Sequence, residues 1–206
     1  MLRLVRHPVV HDCLVQLRDA ATPPERFRAL TERISLVLGA EALADLPQRD
    51  VEVQTPLGPA QGQRIDADVV FVPVMRAGLA MLPGLLQLVP QARVGFIGLR
   101  RDEQTAIASQ YFERLPEHLE QSHVVLVDPM LATGGSAVAA LDLLRTAGAQ
   151  RVSLVCIVAA PEGVARVEAQ YPDVPVFAPV VDRELNAQKF IVPGLGDFGD
   201  RLYGTT

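Results

Sequence analysis

The sequence is poor in residue types on which whole classes of chemistry depend. Lysine occurs once, as Lys189, which excludes a Walker-type phosphate loop because that loop needs a lysine after its glycines. Cysteine occurs twice, at Cys13 and Cys156, without the Cys-x-x-Cys spacing of metal or redox sites. We expect both to be free buried thiols, as is usual in a reducing cytosol. No apolar run approaches the roughly 18 residues that span a bilayer, and no signal peptide is expected over 1–20.

Composition and charge narrow the class of protein further. The chain has 206 residues, of which 49% are hydrophobic and 21% charged, as is typical of one globular domain. Its formal net charge of −5 argues against wholesale binding to nucleic acid or to an anionic membrane. That charge still permits a local basic site for a phosphorylated small molecule. We therefore expect a cytoplasmic protein with no nucleic-acid partner and no membrane partner.

Short apolar runs alternate with helical stretches through most of the chain. Helices are predicted over 9–20 and 25–46, and a hairpin over 51–62. The runs expected to form strands buried on both faces are 68–74, 93–99, 123–128, 151–160 and 174–181. The helical stretches between them are 79–88, 136–147 and 162–170. This alternation predicts an α/β fold with a mostly parallel central sheet flanked by helices.

Two further regions have a different character. The stretch 100–122 is polar and long for a connection, which is typical of a lid, a binding arm or disorder. The tail 190–206 is rich in glycine and follows the last predicted strand. We expect neither region to contribute to the hydrophobic core.

The segment VDPMLATGGSA (127–137) joins a predicted buried strand to a predicted helix. Thr133, the glycines Gly134 and Gly135, and Ser136 would lie at the helix N-terminus, where unpaired N–H groups and the helix dipole attract an anion. They predict a phosphate cradle. Asp128 would repel a phosphate but accepts hydrogen bonds well from ribose hydroxyls. The segment therefore predicts a sugar-phosphate site, and the alternative is a helix cap and tight turn after a buried strand.

This segment closely resembles the loop that binds 5-phospho-α-D-ribose 1-diphosphate (PRPP) in type I phosphoribosyltransferases. Within that superfamily the form Asp-Pro-Met-Leu-Ala-Thr-Gly-Gly-Ser resembles the uracil phosphoribosyltransferase family, since most other members carry two adjacent acids at Asp128-Pro129. The resemblance extends over nearly the whole chain, from 7–14 to 199–205. It implies one phosphoribosyltransferase domain over 1–206, with an N-terminal helical part (1–50), a core (51–189), a flexible arm, and a C-terminal uracil-binding hood (190–206).

Three other segments resemble the family's ligand-binding elements. Arg76, in VPVMRAGLAM, follows a strand and could give bidentate hydrogen bonds to diphosphate; the alternative is an exposed arginine at a turn. Arg101, in GLRRDEQT, occupies the place of a PRPP-binding arginine, and the alternative is a surface charge cluster. FIVPGLGDFGD (190–200) resembles the hood, whose backbone amides and carbonyls match the edge of uracil. Phe198 stands where the family usually has alanine.

By resemblance, the residues implied to bind PRPP are Arg76, Arg101, Asp128, Pro129, Met130, Leu131, Ala132, Thr133, Gly134, Gly135, Ser136 and Asp197. Those implied to bind uracil are Ile191, Gly196, Asp197 and Phe198, and the catalytic residues are Asp128, Asp197 and Arg101.

The resemblance implies conversion of uracil and PRPP to UMP and diphosphate in pyrimidine salvage. Mg²⁺ would be bound mainly through PRPP and water, with no dedicated protein metal site. A homodimer or higher homo-oligomer is expected, and GTP is an expected effector. The alternatives are a nucleotide-sensing RNA-binding protein of the same fold, a purine-specific enzyme, and a dehydrogenase. The net charge argues against RNA binding, and the hood argues against a purine base. The lack of Gly-x-Gly-x-x-Gly in the first strand–helix unit argues against a dehydrogenase.

Overall fold

The computed structural model describes residues 1–101 and 108–205 of the chain. The strands are β1 (Leu2–Leu4), β2 (Gln48–Thr55), β3 (Gly58–Ile65), β4 (Asp68–Met75), β5 (Arg93–Val94), β6 (Phe96–Arg101), β7 (Ala108–Arg114), β8 (Ser122–Val127), β9 (Met130–Leu131), β10 (Arg151–Val155), β11 (Val158–Ala159), β12 (Val176–Ala178), β13 (Glu184–Leu185) and β14 (Ile191–Val192). The helices are α1 (Pro8–Arg18), α2 (Pro24–Ala42), α3 (Leu82–Leu88), α4 (Gly135–Thr146), α5 (Pro161–Gln170) and α6 (Phe198–Tyr203). Short 3₁₀ turns span Ala77–Met81 and Leu119–Gln121.

The central sheet has the strand order β1-β12-β10-β8-β4-β6-β7, and β5 also pairs with β4. Every neighbouring pair in this order is parallel except β6 and β7, which run antiparallel. The prediction of a mostly parallel sheet flanked by helices is confirmed. The carboxyl ends of β4, β8 and β10 therefore meet at one edge, where ligands of such sheets bind.

Side chains of the central strands alternate between two hydrophobic cores, one on each face of the sheet. On β4, Val69 and Phe71 enter one core, while Val70, Val72 and Val74 enter the other. The first core also receives the apolar stripes of α1 and α2, and the second receives those of α4 and α5. Burial on both faces explains why these strands read as continuous apolar runs.

The helical stripes have the spacing that one buried face requires. In α1, Val10, Leu14 and Leu17 are buried and recur every three or four residues. This helix begins after His7, whose side chain accepts a hydrogen bond from Val9 N at 3.2 Å. In the part of the chain that the structure describes, no helix is both long and apolar enough to cross a membrane.

The observed strands differ from the predicted ones in two places and agree at the hairpin. The apolar run 151–160 is divided into β10 and β11, because its last residues leave the central sheet and pair with β9. Strand β1 was not predicted, and it adds a parallel edge strand beside β12. The predicted hairpin is confirmed as β2 and β3, which pair from Gln48↔Ile65 to Thr55↔Gly58.

The two regions expected to lie outside the core contribute to it. In 100–122, β7 pairs with β6, and Leu119 is completely buried. The C-terminal segment adds four buried side chains to the core under α1 and α2: Ile191, Leu195, Phe198 and Leu202. The expectation for the tail was wrong because glycines interrupt its apolar residues. The sequence therefore shows no helical or strand periodicity that would indicate a buried face. Residues 102–107, at the tip of the expected arm, lie outside the described residues.

Candidate functional site

The loop between β8 and α4 is held in place by hydrogen bonds between main-chain groups. Asp128 N donates to Val155 O at 3.2 Å as the chain leaves β8. Pro129 O then accepts from Ile157 N at 2.9 Å and Val158 N at 3.0 Å, and Leu131 O accepts from Ala160 N at 2.9 Å. The loop therefore forms a small second layer with β11 at the carboxyl edge of the sheet.

The N-terminus of α4 carries the predicted phosphate cradle. Gly134 caps the helix with φ 74°, a left-handed conformation that favours glycine. Val138 N donates the first helical hydrogen bond, to Gly134 O at 2.9 Å, so the N–H groups of residues 135–137 precede the repeating pattern. Gly135 N also lies 3.4 Å from Thr133 Oγ1. Thr133 and Ser136 are half-buried beside these amides, which places donors of two kinds at one helix end.

Two glycines outside the predicted cradle allow its close packing. A Cβ on Gly163, in the first turn of α5, would lie 2.5 Å from Ala132 O and 2.7 Å from Leu131 O. A Cβ on Gly78 would lie 2.5 Å from Val127 O. Both contacts are far below normal packing distance. Gly163 was missed from the sequence, because nothing local indicates that another loop passes over it.

The contact at Gly78 brings the segment after β4 beside the end of β8. Arg76 lies in this segment and is exposed, and its peptide bond to Met75 is cis. Asp128 is half-buried at the end of β8. Burial, with a smaller contribution from the Asp128 charge, raises the pKa of the Cys156 thiol. Cys13 and Cys156 are both buried and free, as predicted.

A cavity of about 510 Å³ separates the loop from the C-terminal segment. Its lining combines both predicted regions: Met130, Ala132, Gln188, Lys189, Phe190, Ile191, Gly196, Asp197 and Phe198. The structure thus brings six predicted residues around one space. Gln188, Lys189 and Phe190 were missed, although Lys189 is conspicuous as the only lysine in the sequence. The Arg101 side chain lies outside the described residues.

Asp197 and Phe198 have structural roles at the start of α6. Asp197 Oδ1 accepts a hydrogen bond from Asp200 N at 3.0 Å and so caps this helix. The Phe198 ring packs edge-on against Phe27, with ring centroids 5.1 Å apart, and only 2% of the residue is exposed. The bulk added at this position is therefore accommodated in the core, and Phe198 is also one of the residues that line the cavity.

Arginines attach the C-terminal segment to the N-terminal helices. Arg201 donates to the carbonyl oxygens of Leu17, Asp19 and Leu195, and its guanidinium lies 4.7 Å from the centroid of the Phe27 ring. Burial lowers the pKa of Arg201. Arg28 Nη1 donates to Leu202 O at 2.8 Å. The cavity wall formed by this segment thus depends on side chains from α1 and α2 as well as on its own fold.

A second cavity, of about 410 Å³, lies at the opposite edge of the sheet, where β8, β10 and β12 begin. Arg3, Asp45, His123 and Arg151 are among its charged or polar lining residues, and Arg3 pairs with Asp45 at 3.2 Å. Open parallel sheets bind ligands at the carboxyl ends of their strands, which favours the first cavity as the functional site.

Comparisons with known proteins identify the family of the chain. The family model described as uracil phosphoribosyltransferase matches residues 4–205. A uracil phosphoribosyltransferase of Dictyoglomus turgidum is 47% identical over 206 residues, which is 100% of both chains. A solved structure, the AQ2163 protein from Aquifex aeolicus, superposes with a TM-score of 0.96 at 40% identity and covers 100% of this chain and 99% of that one.

A more distant structure supports the fold alone. It is a hypoxanthine phosphoribosyltransferase from Staphylococcus aureus, with a TM-score of 0.50 and 16% identity, and it covers 80% of this chain and 82% of the other. The full-length family match, the 47% identity and the strand-end cavity lead to one conclusion. The chain belongs to the uracil phosphoribosyltransferase family.

Proposed function

We propose that the cavity between the 128–136 loop and the C-terminal segment is where uracil reacts with PRPP to give UMP and diphosphate, as a step of pyrimidine salvage. The observation that carries this assignment is the cavity lining, in which Met130 and Ala132 face Ile191, Gly196 and Asp197. The loop on one wall would bind PRPP, and the main chain of the C-terminal segment on the other wall would bind uracil. The two substrates would then lie next to each other in one cavity.

The phosphoribosyl group would be bound by the loop. The N–H groups at the start of α4 and the hydroxyls of Thr133 and Ser136 would hold the 5′-phosphate, with the helix dipole favouring its charge. Asp128 would accept hydrogen bonds from the ribose hydroxyls. Pro129, Met130 and Leu131 complete the loop, and their main-chain bonds to β11 fix its path.

The leaving diphosphate needs positive charge. Arg76, exposed beside the loop, would supply a planar guanidinium that can bond two phosphate oxygens at once. Arg101 would add a second guanidinium. Negative charge grows on the diphosphate while positive charge develops on the ribose ring, so the protein accelerates the reaction mainly by positioning and electrostatics.

Uracil would be read by main-chain groups of Ile191, Gly196, Asp197 and Phe198. A base with the wrong pattern of donors and acceptors leaves buried polar groups unpaired, which gives selectivity without many polar side chains. Asp197 would also approach PRPP and accept the proton that the uracil nitrogen loses. Asp197→Asn keeps a side-chain oxygen to cap α6 but removes this charge, and undiminished turnover would exclude the role in proton transfer.

Mg²⁺ fits this site as a partner of the substrate. Among residues 1–101 and 108–205, no group of three or more His, Cys, Asp or Glu side chains is placed to hold a metal ion. Because Mg²⁺ prefers oxygen ligands and keeps several waters, the diphosphate, the ribose hydroxyls and water would supply the ligands, with Asp128 orienting the hydroxyls. When bound, Mg²⁺ would neutralise part of the diphosphate charge.

One assay tests the proposed reaction. PRPP and Mg²⁺ are supplied with uracil, hypoxanthine, adenine or orotate separately, and diphosphate release is measured. We expect release with uracil and formation of UMP. Release with a purine base would overturn the base assignment, and no release with any base would overturn the activity.

Three further proposals concern the protein in its setting. A homodimer or higher homo-oligomer would bury apolar residues such as Val9 and Val15, which are 40% and 68% exposed on α1; light scattering showing a monomer at working concentration would contradict it. GTP is proposed as an effector, which an activity titration with GTP tests. The two buried thiols suit a reducing compartment, and we propose the cytoplasm.

A further inference from the structure

An ion pair between half-buried Arg18 and buried Asp182 joins α1 to the segment that follows β12. Asp182 is 6% exposed, and its two carboxylate oxygens accept from Arg18 Nη1 at 2.9 Å and Arg18 Nη2 at 2.6 Å. The pair is therefore bidentate, the geometry that a guanidinium and a carboxylate share best. Arg18 lies in the last turn of α1, 164 residues away in the sequence.

Both members of this pair also bond the main chain of Gly194. Gly194 N donates to Asp182 Oδ2 at 2.8 Å, and Arg18 Nη1 donates to Gly194 O at 2.7 Å. The N–H and the carbonyl of one residue are thus bound by two opposite charges. Gly194 has φ 58°, and a Cβ there would lie 2.2 Å from Ile191 O, so the turn around it is closely packed. Ile191 and Gly196, three residues before and two after, line the cavity.

The main chain of Asp182 connects the pair to the opposite wall of the cavity. Asp182 N donates to Ala159 O at 2.8 Å, and Ala159 pairs with Leu131 in the ladder of β11 and β9. A continuous path therefore runs from the 128–136 loop through β11 and Asp182 to Gly194. It joins the wall assigned to PRPP to the wall assigned to uracil.

We propose that Arg18 and Asp182 are positioning residues that set the separation of the two substrates, an inference that rests on the proposed function of the cavity. Neither residue lines the cavity, so they act through Gly194. A buried ion pair costs desolvation and often adds little net stability, whereas its fixed geometry can select one arrangement of the chain. A displacement of about 1 Å at the reacting atoms can cost roughly 100-fold in rate.

The test separates positioning from stability. The variants are Arg18→Met, Asp182→Leu and the double variant, with kcat, KM for uracil, KM for PRPP and melting temperature measured for each. We expect each single variant to lower both melting temperature and kcat/KM for uracil, the latter by about 10- to 100-fold. KM for PRPP should change less than about 2-fold, since the main-chain bonds of the 128–136 loop remain. The double variant has no unpaired buried charge but still lacks the two partners of Gly194, so it should regain part of the melting temperature without regaining kcat/KM for uracil.

Two more variants keep the inference testable if Arg18→Met or Asp182→Leu does not fold. Arg18→Lys keeps the charge but cannot bond both carboxylate oxygens and Gly194 O in the same geometry, so we expect an intermediate loss of kcat/KM for uracil at a nearly unchanged melting temperature. The matched control is Arg145→Met, because Arg145 also pairs with an aspartate, Asp173, and donates to two carbonyl oxygens, but at the far end of α4. It should lower the melting temperature and leave KM for uracil unchanged.

Two outcomes would overturn the inference while leaving the proposed function intact. One is a double variant that regains both melting temperature and kcat/KM for uracil. The other is an Arg18→Lys variant with full kcat/KM. Failure of the proposed function is distinct, since it would appear as a wild-type protein that forms no UMP from uracil and PRPP.

Discussion

The two walls of the cavity are built in different ways. The 128–136 loop is held by main-chain hydrogen bonds to residues 155–160, and by glycines that let backbone touch backbone. The C-terminal segment 190–204 is held by side chains: four apolar residues in the core, and the guanidinium groups of Arg18, Arg28 and Arg201 on its carbonyl oxygens.

This difference predicts which kind of substitution displaces each wall. The loop should be disturbed by added atoms, because its backbone has no room beside it. The C-terminal segment should be disturbed by removed atoms, because its position depends on particular side chains. A phosphate has the same shape in every substrate of this kind, which suits a rigid backbone site. Under the proposed function, the base is the part that must be discriminated, and it would contact the wall that side chains hold in place.

The largest expected effect is on the C-terminal wall. Phe198→Ala removes a ring that is 2% exposed and packed against Phe27, which should cost about 3–5 kcal/mol of unfolding free energy. The enlarged cavity should also weaken selection against uracil analogues with a bulky substituent. Chemical denaturation and an analogue panel measure both. The matched control is Tyr203→Ala on the same helix, which is 46% exposed and should cost less than about 0.5 kcal/mol. Equal losses in the two variants would contradict the packing role.

A smaller effect is expected where an atom is added under the loop. Gly163→Ala forces a Cβ to within 2.5 Å of Ala132 O and should cost about 1–3 kcal/mol while raising KM for PRPP. Gly62→Ala is the control, because no heavy atom lies within 4 Å of that Cβ. A Gly163→Ala protein with the wild-type KM for PRPP would show that the loop is less constrained than its contacts indicate.

Removal of a guanidinium should selectively affect the wall formed by the C-terminal segment 190–204, where uracil is proposed to bind (the base wall). Arg201→Met removes the guanidinium that donates to three carbonyl oxygens, and we expect KM for uracil to rise about tenfold, equivalent to about 1.4 kcal/mol. KM for PRPP should stay near its wild-type value. Arg183→Met is the control, since that side chain is 70% exposed and pairs with the adjacent Glu184. Steady-state kinetics with each substrate varied measures both constants. An equal rise in KM for uracil and KM for PRPP would contradict the selective effect.

The smallest effect lies away from both walls, at the start of β4. The hydrogen bond from Arg93, with a smaller one from Ser122, holds the pKa of Asp68 below its usual 3.8. The stabilisation is therefore present above that value and is lost as pH falls through the lower folded-state pKa. Because the pair is about 40% exposed, it should be worth no more than about 1 kcal/mol. Denaturation of Asp68→Asn and wild type should differ at pH 6 and converge toward pH 3, with equal activity throughout.

Local patterns in the sequence were sufficient to predict the strand, loop and helix that form the 128–136 wall. Val124 to Val127 are apolar and continuous, and the Gly134-Gly135 pair begins seven residues later, so strand, loop and helix could all be placed from one short stretch of sequence. The same locality predicted most of the sheet. Strand β1 could not be predicted, because three residues with one partly buried position carry no periodic signal.

The support of the base wall could not be predicted either, because its contacts join distant parts of the chain. Arg18 and Asp182 are separated by 164 residues, and Arg201 and Leu17 by 184. An isolated arginine near the end of a helix has no local feature that indicates such a partner. Gly163 is a similar case, since the need for glycine comes from a loop some thirty residues earlier.

A crystal structure with bound UMP tests the central claim most directly, because the product has both a phosphate and a base. We predict the phosphate on the N–H groups at the start of α4, the ribose hydroxyls on Asp128, and the edge of uracil on main-chain groups between Ile191 and Phe198. UMP bound in another cavity, or bound here with its phosphate on the C-terminal segment, would contradict the account.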